Sequence, residues 1–420
     1  MVDVIVFIPR TKGRDLEEKS YELSSLLKCL HMRGSEMRFN VRNPNNNTYL
    51  SRVIIENIKS FIEISKELGV EYKAIVIDDN LSGIQSHNLS KELGIEVIDK
   101  TNLILSIFEV RASSYEARLQ VQIAKLQYQS TQLVHSDADY AQVTSGKGKN
   151  KGKGETEKEL EKRRIKRSIH EKKMELEKIK KVRKTGRNQR KSSLIPTVAL
   201  VGYTNAGKSS LMNLLLNKSK AQSQKLVLVE DRLFATLDTS TRLIDFYNYP
   251  SFLLSDTVGF LNDLPHFLLS AFKSTLEEIS EADLIIEVVD ISYGNYRKKM
   301  ATTNDVLKEL GCDKIKRLTF YNKYDVKEIG LDRLLKKNEL YTVLSGENNN
   351  ADEVINFISD WLTKKWKKYN FFIPYEDNCF EFYKNTYIIK KIDKENGQLF
   401  TARINPNAFD KFAKYLVTDS

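Results

Sequence analysis

The sequence predicts an α/β protein with mainly parallel sheets, divided by a long helical segment. Short apolar runs alternate with amphipathic stretches over residues 1–100 and again from 193, which is the rhythm of strand and helix in a parallel sheet. Between them the apolar residues fall on a seven-residue repeat instead. At 420 residues the chain is too long for one core, so several domains are expected.

In the first domain, residues 1–100, Val4 to Pro9, Met37 to Val41, Ala74 to Asp78 and Val97 to Asp99 read as strands. Leu16 to His31, Ser51 to Leu68 and Ser82 to Leu93 read as helices. Residues 101–192 form the second segment. Leu119, Ile123, Leu126 and Leu133, then Ile165, Ile169, Leu176 and Ile179, predict two long antiparallel helices in a hairpin. Its tip, about 145–155, contains Ser145 to Gly154, whose four glycines preclude regular structure and whose lysines make it positive. The third domain, 193–365, restores the α/β pattern. Its strands are expected at Ile195 to Val201, Arg242 to Asn248, Ser251 to Asp256, Leu284 to Asp290, Lys316 to Asn322 and Leu340 to Ser345. Residues 366–420, aromatic and alternating, read as a small α/β or β-rich appendage.

The formal charge is +11, and it is localised. Lys147 to Lys191 hold twenty Lys/Arg against seven Glu, a net +13, so the rest of the chain is −2. A basic strip of this kind is the footprint of a polyanionic partner. Three well-separated cysteines, Cys29, Cys312 and Cys379, point to a reducing cytoplasm and no disulfide framework. No apolar run is long enough to span a bilayer, so no stable membrane insertion is expected, and a monomer is.

The third domain carries the chemistry. Gly202-Tyr203-Thr204-Asn205-Ala206-Gly207-Lys208-Ser209 matches the phosphate-binding loop pattern between a strand and a helix. Such a loop turns successive N–H groups and a helix N-terminus toward phosphates. Lys208 is assigned to the β- and γ-phosphates and Ser209 to Mg²⁺. Asp256-Thr257-Val258-Gly259 ends a strand, where Asp256 can serve the metal through water and the Gly259 N–H can sense a γ-phosphate. Asn322-Lys323-Tyr324-Asp325 ends another strand. The Asp325 carboxylate can accept from both N1–H and the N2 amine of guanine, which adenine cannot offer. Lys323 would pack over the base or ribose, Asn322 would tie this loop to the phosphate loop, and Ser345-Gly346-Glu347 could add backbone contacts to the guanine. The order of these motifs predicts a P-loop GTPase domain using GTP/GDP and Mg²⁺. Between Asp231 and Arg242, Thr236, Thr239 and Thr241 could each complete the metal shell, and spacing alone does not choose among them.

On these residues the chain resembles the HflX family of ribosome-associated GTPases. The shared runs are G-Y-T-N-A-G-K-S, Phe234-Ala235-Thr236-Leu237-Asp238, D-T-V-G-F followed by Leu264-Pro265-His266, and N-K-x-D. Outside that domain they include Leu81-Ser82-Gly83-Ile84-Gln85, Glu116-Ala117-Arg118-Leu119-Gln120 and Gly152-Lys153-Gly154-Glu155-Thr156. The resemblance implies Thr236 as the metal ligand, and Thr236, with the motif-assigned Lys208 and Gly259, makes up the expected catalytic set. It also implies a P-loop GTPase domain preceded by an α/β N-terminal subdomain and the helical hairpin. The implied partner is the large ribosomal subunit and its rRNA, with the hairpin tip near the peptidyl-transferase region, and the implied task is splitting or rescuing ribosomes. Read from charge alone, the alternative is a GTPase switch recruited by its basic surface to acidic membrane or to non-ribosomal RNA. Phe260 occupies the position after D-x-x-G where many GTPases place a glutamine, so slow intrinsic turnover is expected.

Overall fold

The structure, a computed structural model, describes residues 2–9, 16–39, 41, 43–143, 152–191, 195–219, 240–246, 249–260, 268, 278–292, 295–326, 335–344 and 350–417. The chain divides into two compact units, the first comprising residues 1–181 with two short later segments, the second the remainder.

In the first unit, strands β1 (Val2–Pro9), β2 (Met32–Phe39), β3 (Ala74–Ile77) and β4 (Glu96–Asp99) form a sheet in the order β2-β1-β3-β4. All its pairings are parallel. β3 and, from Val4 onward, β1 are apolar and buried, as central strands covered on both faces must be. Helices α1 (Leu16–Cys29), α2 (Arg52–Glu67) and α3 (Gly83–Leu93) make the crossovers. α3 begins with a capping box, in which the Ser82 hydroxyl accepts from the Gln85 N–H and the Gln85 side chain returns to the Ser82 N–H.

Two expectations shift here. β2 starts at Met32, five residues before the expected Met37, and α1 stops at Cys29. β2 is an edge strand whose Met-Arg-Gly-Ser-Glu-Met-Arg sequence has no apolar run to announce it. His31, at φ 55°, makes the turn. The helical segment also begins with a separate helix, α4 (Lys100–Arg111), capped by the Asp99 carboxylate on the Asn102 N–H at 2.7 Å. Its Leu103, Ile104, Leu105, Ile107 and Phe108 are all buried, so it belongs to the core. Lys100 at its start meets Asp78 at 3.1 Å, and Lys19 meets the same carboxylate at 3.1 Å.

Helices α5 (Tyr115–Val143) and α6 (Gly152–Lys191) follow. Lys172 donates to Gln122 at 2.7 Å, and Tyr115 donates to Glu175. The later α6 residue meets the earlier α5 residue, so the two run antiparallel. Leu119, Ile123, Ile165 and Leu176 are buried, as the repeat requires. α6 includes Gly152 to Gly154, which corrects the reading of that stretch as irregular. The first turn of a helix leaves its N–H groups without internal partners in any case, and the Glu/Lys-rich run that follows favours helix. Residues 144–151 lie outside the described residues.

In the second unit six strands take the order β10-β9-β8-β5-β7-β6. They are β5 (Thr197–Val201), β6 (Ser240–Ile244), β7 (Phe252–Asp256), β8 (Leu284–Asp290), β9 (Arg317–Asn322) and β10 (Glu339–Thr342). Only β6, on the edge, is antiparallel. Helix α7 (Lys208–Lys218) and two further helices, α8 (Tyr296–Glu309) and α9 (Ala351–Thr363), complete the domain. Residues 367–404 add an antiparallel sheet of β11 (Lys367–Pro374), β12 (Thr386–Lys394) and β13 (Gly397–Ile404), ordered β11-β13-β12. Helix α10 (Phe380–Asn385) supplies Phe382, which packs in its core edge-on against Phe371 and Phe412 and tilted against Phe400.

One buried acid sets a pH dependence. Glu287, 1% exposed in the centre of β8, has its Oε2 3.3 Å from Arg317 Nη1. Burial pushes its carboxyl up to about 7, and Arg317 offsets that only in part. The folded pKa lies above the unfolded one, so the folded state holds the proton more tightly. Stability from this group is therefore full below about pH 4.5 and declines as pH rises through 7. We expect Glu287→Gln to remove a loss of up to about 3 kcal/mol between pH 5 and 8. Denaturant unfolding of both proteins across that range tests it, and parallel pH profiles would refute it.

Candidate nucleotide site

The three motifs meet at the carboxyl edge of the six-stranded sheet, where β5, β7 and β9 end. This edge of an open parallel sheet is where ligands bind, because the loops leaving the strands form a crevice there.

The loop after β5 is fixed by backbone conformation and by a neighbour. Gly207 has φ 103°, and a Cβ there would lie 2.3 Å from Asn322 Nδ2. Glycine is required on both grounds. Asn322 donates that Nδ2 to the Ala206 carbonyl at 2.9 Å. The expected tie between the two loops is thus formed, across 116 residues of sequence.

Lys208, at the start of α7, is 6% exposed. Its Nζ donates to the carbonyls of Tyr203 at 2.8 Å and Gly202 at 3.1 Å. Burial lowers its pKa to about 8, against the pull of Asp256, which raises it. Ser209 Oγ donates to Asp256 Oδ2 at 2.9 Å, and Asp256 is fully buried. Thr257 is also buried, with its hydroxyl on the Leu200 carbonyl at 2.6 Å. A hydroxyl and a buried carboxylate side by side are the hard oxygen donors a magnesium ion takes.

The segment after Asp256 lies directly on the phosphate loop. Tyr203 and Phe260 form a parallel β-bridge. The Thr204 N–H donates to the Phe260 carbonyl at 2.8 Å, and the Phe260 N–H donates to the Gly202 carbonyl at 3.1 Å. A Cβ on Gly259 would lie 2.9 Å from Lys208 Nζ and 2.8 Å from Thr204 Cα, so only glycine comes this close. The Phe260 side chain is 2% exposed and faces the protein interior. Val258 beside it is buried as well.

At the β9 end, Lys323 has φ 62° and its Nζ pairs with Asp290 Oδ2 at 2.7 Å. Asp290 Oδ1 accepts from the Ser292 N–H at 3.0 Å and hydroxyl at 2.5 Å. Tyr324 stacks on Tyr341, ring centroids 4.6 Å apart, and Asp325 is exposed and open to a base. Sequence reasoning passed over Asp290 and Ser292. The available signal was an Asp at the end of the strand next to the N-K-x-D strand. Two buried polar atoms, Thr204 Oγ1 and Asn322 Oδ1, have no hydrogen-bond partner among the described residues. Both lie in the loops that converge here.

The sequence-assigned Phe234, Ala235, Thr236, Leu237 and Asp238, and Ser345, Gly346 and Glu347, lie outside the described residues. Gly202, Asn205 and Ala206 stand in the loop as expected, with Asn205 at φ 61°.

Three family models match in succession: "GTP-binding GTPase N-terminal" over residues 17–109, "GTP-binding GTPase Middle Region" over 111–190, and "50S ribosome-binding GTPase" over 197–323. A protein of Magnetococcus marinus described as GTPase HflX is 35% identical over 379 residues, covering 90% of this chain and 81% of its own. The protein so described in Caldanaerobacter subterraneus is 37% identical over 329 residues, covering 78% of this chain and 73% of its own. Among solved structures, a GTP-binding protein of Sulfolobus solfataricus in complex with GDP is 22% identical, with TM-score 0.46, over 87% of this chain and 99% of its own.

The buried lysine carries a measurable signature. Its folded pKa lies below the unfolded one, so above pH 8 the empty site holds a neutral amine, whereas a bound phosphate tail calls for an ammonium. We expect binding of GDP to take up close to one proton at about pH 9 and little below about pH 7.5. Titration calorimetry in buffers of different ionisation enthalpy measures this, and an enthalpy independent of buffer at pH 9 would contradict it.

Proposed function

The chain belongs to the HflX family of GTPases, and from that premise we propose that it is a magnesium-dependent GTP switch acting on the large ribosomal subunit. It binds and hydrolyses GTP, as the family does. The observation that carries the residue assignments is the hydrogen bond from Asn322 to Ala206, which draws the base-reading loop onto the phosphate-binding loop.

In our reading, the N–H groups of Gly202 to Ser209 and the Lys208 ammonium hold the phosphates. Lys208 would exchange the carbonyls of Gly202 and Tyr203 for phosphate oxygens. Asp325 accepts the two guanine donors, and Lys323, held by Asp290, flanks the base. Ser209 and Asp256 fit the magnesium ion, and Thr236 would complete its shell. The ion supplies charge neutralisation on the β- and γ-phosphates when bound. Gly259 lies so near Lys208 that a Cβ there would meet its Nζ, and in this reading a γ-phosphate displaces the Gly259 backbone or engages its N–H. That makes the Asp256–Phe260 segment the part that reports the third phosphate.

Phe260 offers no polar atom to orient the attacking water, and its ring is buried. Its backbone is spent on Gly202 and Thr204. Turnover by the chain alone is therefore slow in this reading, and the missing group comes from the partner.

The ribosomal partner is supported by the family description over residues 197–323 and by the charge of α6. Arg163, Arg164, Lys166, Arg167, Lys173 and Lys178 are exposed along it. Such a row neutralises phosphates without regard to sequence. The Gly/Lys-rich stretch before α6 is the segment we assign to rRNA, and subunit splitting or rescue is the activity we assign to the complex. Among the described residues no helix is long and apolar enough to cross a membrane.

Two measurements test this reading. Single-turnover GTP hydrolysis should rise at least about tenfold with purified large subunits, and a rise below about threefold would count against an activating ribosome. Asp325→Asn should weaken GTP binding by about a hundredfold or more and favour xanthine nucleotides, whose ring offers an acceptor where guanine has an amine. Unchanged GTP affinity in that variant would remove the guanine assignment.

A further inference from the structure

The antiparallel sheet of residues 367–404 has one face packed and one face open. Its register sorts the residues between the two faces, with a bulge in β12 between Ile388 and Lys390. Toward the core point Phe371 and Phe400, Tyr369 and Ala402, and Ile404. The opposite face consists of four rows across β11, β13 and β12: Lys368–Arg403–Tyr387, Asn370–Thr401–Lys390, Phe372–Leu399–Ile392 and Pro374–Gly397–Lys394. Every charged side chain in these rows is a cation.

The first row is partly engaged within the unit. Arg403 Nη1 donates to Asp360 Oδ1 at 2.7 Å, and Tyr387 packs on Tyr249 with ring centroids 5.9 Å apart. The other three rows are open. Lys390, Ile392 and Lys394 are exposed, while Phe372, Leu399 and Thr401 are half-buried. Lys368, Lys390 and Lys394 make no ion pair among the described residues. The Phe372 ring reaches over Gly397, where a Cβ would lie 2.9 Å from its Cζ, so the ring lies along the sheet instead of standing out from it.

We propose that this face binds single-stranded RNA, with Phe372 stacking a base and Lys368, Lys390 and Lys394 meeting phosphates. An aromatic ring on an open sheet face between cations is the arrangement that takes an unpaired base and its backbone. Lys390 and Lys394 stand about 13 Å apart along β12, and Lys368, two strands across and one row away, is about 12 Å from Lys390. The cations therefore flank the ring on both sides. A folded protein partner of ordinary acidity would gain from the lysines but would leave Phe372, Leu399 and Ile392 needing an apolar counterpart. A strand of unpaired bases supplies anion and flat apolar surface together. The site is separate from the basic α6, and it does not depend on the ribosomal reading.

The test is fluorescence anisotropy of the full chain, saturated with GDP, with a labelled twelve-nucleotide oligouridylate over a salt series. A K390E/K394E variant should bind about tenfold or more weakly, and its plot of log affinity against log salt should be shallower by about 1.4. A Phe372→Leu variant, which keeps the apolar packing, should lose about fivefold with an unchanged slope. It should lose little toward a blunt RNA duplex of the same length. Photo-crosslinking with 4-thiouridine should label peptides within residues 367–404. Basal GTP hydrolysis should match the parent in both variants. Affinities within twofold of the parent, crosslinks confined to 147–191, or an equal loss for duplex with Phe372→Leu would each overturn the proposal. The last would leave a charged patch for folded partners only. Because the probe contains no ribosome, such failure leaves the large-subunit reading untouched, and loss of subunit stimulation leaves this one untouched.

Discussion

The contact on which the site depends is the approach of Asn322 to the backbone of Gly207. Its amide nitrogen bonds the Ala206 carbonyl at 2.9 Å, in a space that exists only because residue 207 has no Cβ. A single buried hydrogen bond of this kind contributes only about 1 kcal/mol. Its importance is geometric. β5 and β9 are separated by β8 in the sheet, so their loops would otherwise be independent. The Asn322 bridge fixes the distance between the two loops. In the proposed reading, specificity for base and grip on phosphate thereby become one property of the fold.

Charge within the site follows from the same packing. Lys208 is buried beside a buried Asp256, and without phosphate its ammonium is held by two backbone carbonyls. Those carbonyls are dipoles and not ions, so burial wins and the pKa falls to about 8. The lysine is thus less well satisfied alone than with a polyanion. The Gly259–Phe260 segment is bonded to the same loop, through the Gly202 carbonyl and the Thr204 N–H. In the proposed reading a change at the γ-position is felt in the segment because the segment rests on the loop that holds the phosphates.

Much of this was legible in the sequence, for identifiable reasons. Central strands such as β8, Leu284–Asp290, matched their expected limits because burial on both faces demands a mostly apolar run, here interrupted only by Glu287 before the terminal Asp290. The phosphate loop and Asn322 were legible because their backbone geometry admits few residue types. β2 was not, since an edge strand can be polar and leave no periodic trace. α4 was hidden inside an apolar run that could equally extend a long helix, and only the Ala112-Ser113-Ser114 break separates it from α5. Asp290 was missed because its partner, Lys323, is brought to it by pairing of β8 with β9, which no local pattern records. Gly152 to Gly154 misled because composition was read without position: glycine is costly within a helix and much less so in its first turn.

The closing sheet extends this reasoning to a region with no motif. Pairing register alone separates Phe371, Phe400 and Ala402 from Phe372, Leu399 and Thr401, although the two sets are interleaved in sequence. The first set has an obvious purpose as core. The second, with Ile392 and the lysines of the same rows, places an aromatic ring, two aliphatic side chains and a surplus of cations on an open face, an arrangement that core packing does not explain. Arg403 and Tyr387 anchor that face to Asp360 and Tyr249 of the nucleotide-binding domain. Asp360 lies on α9, whose Val354, Ile355 and Ile358 belong to the same core as Leu211 and Leu215 of α7. The helix that begins with Lys208 is therefore linked, through packed side chains, to the sheet of residues 367–404. In the proposed reading an occupant of that face bears, through these contacts, on the elements assigned to the phosphates.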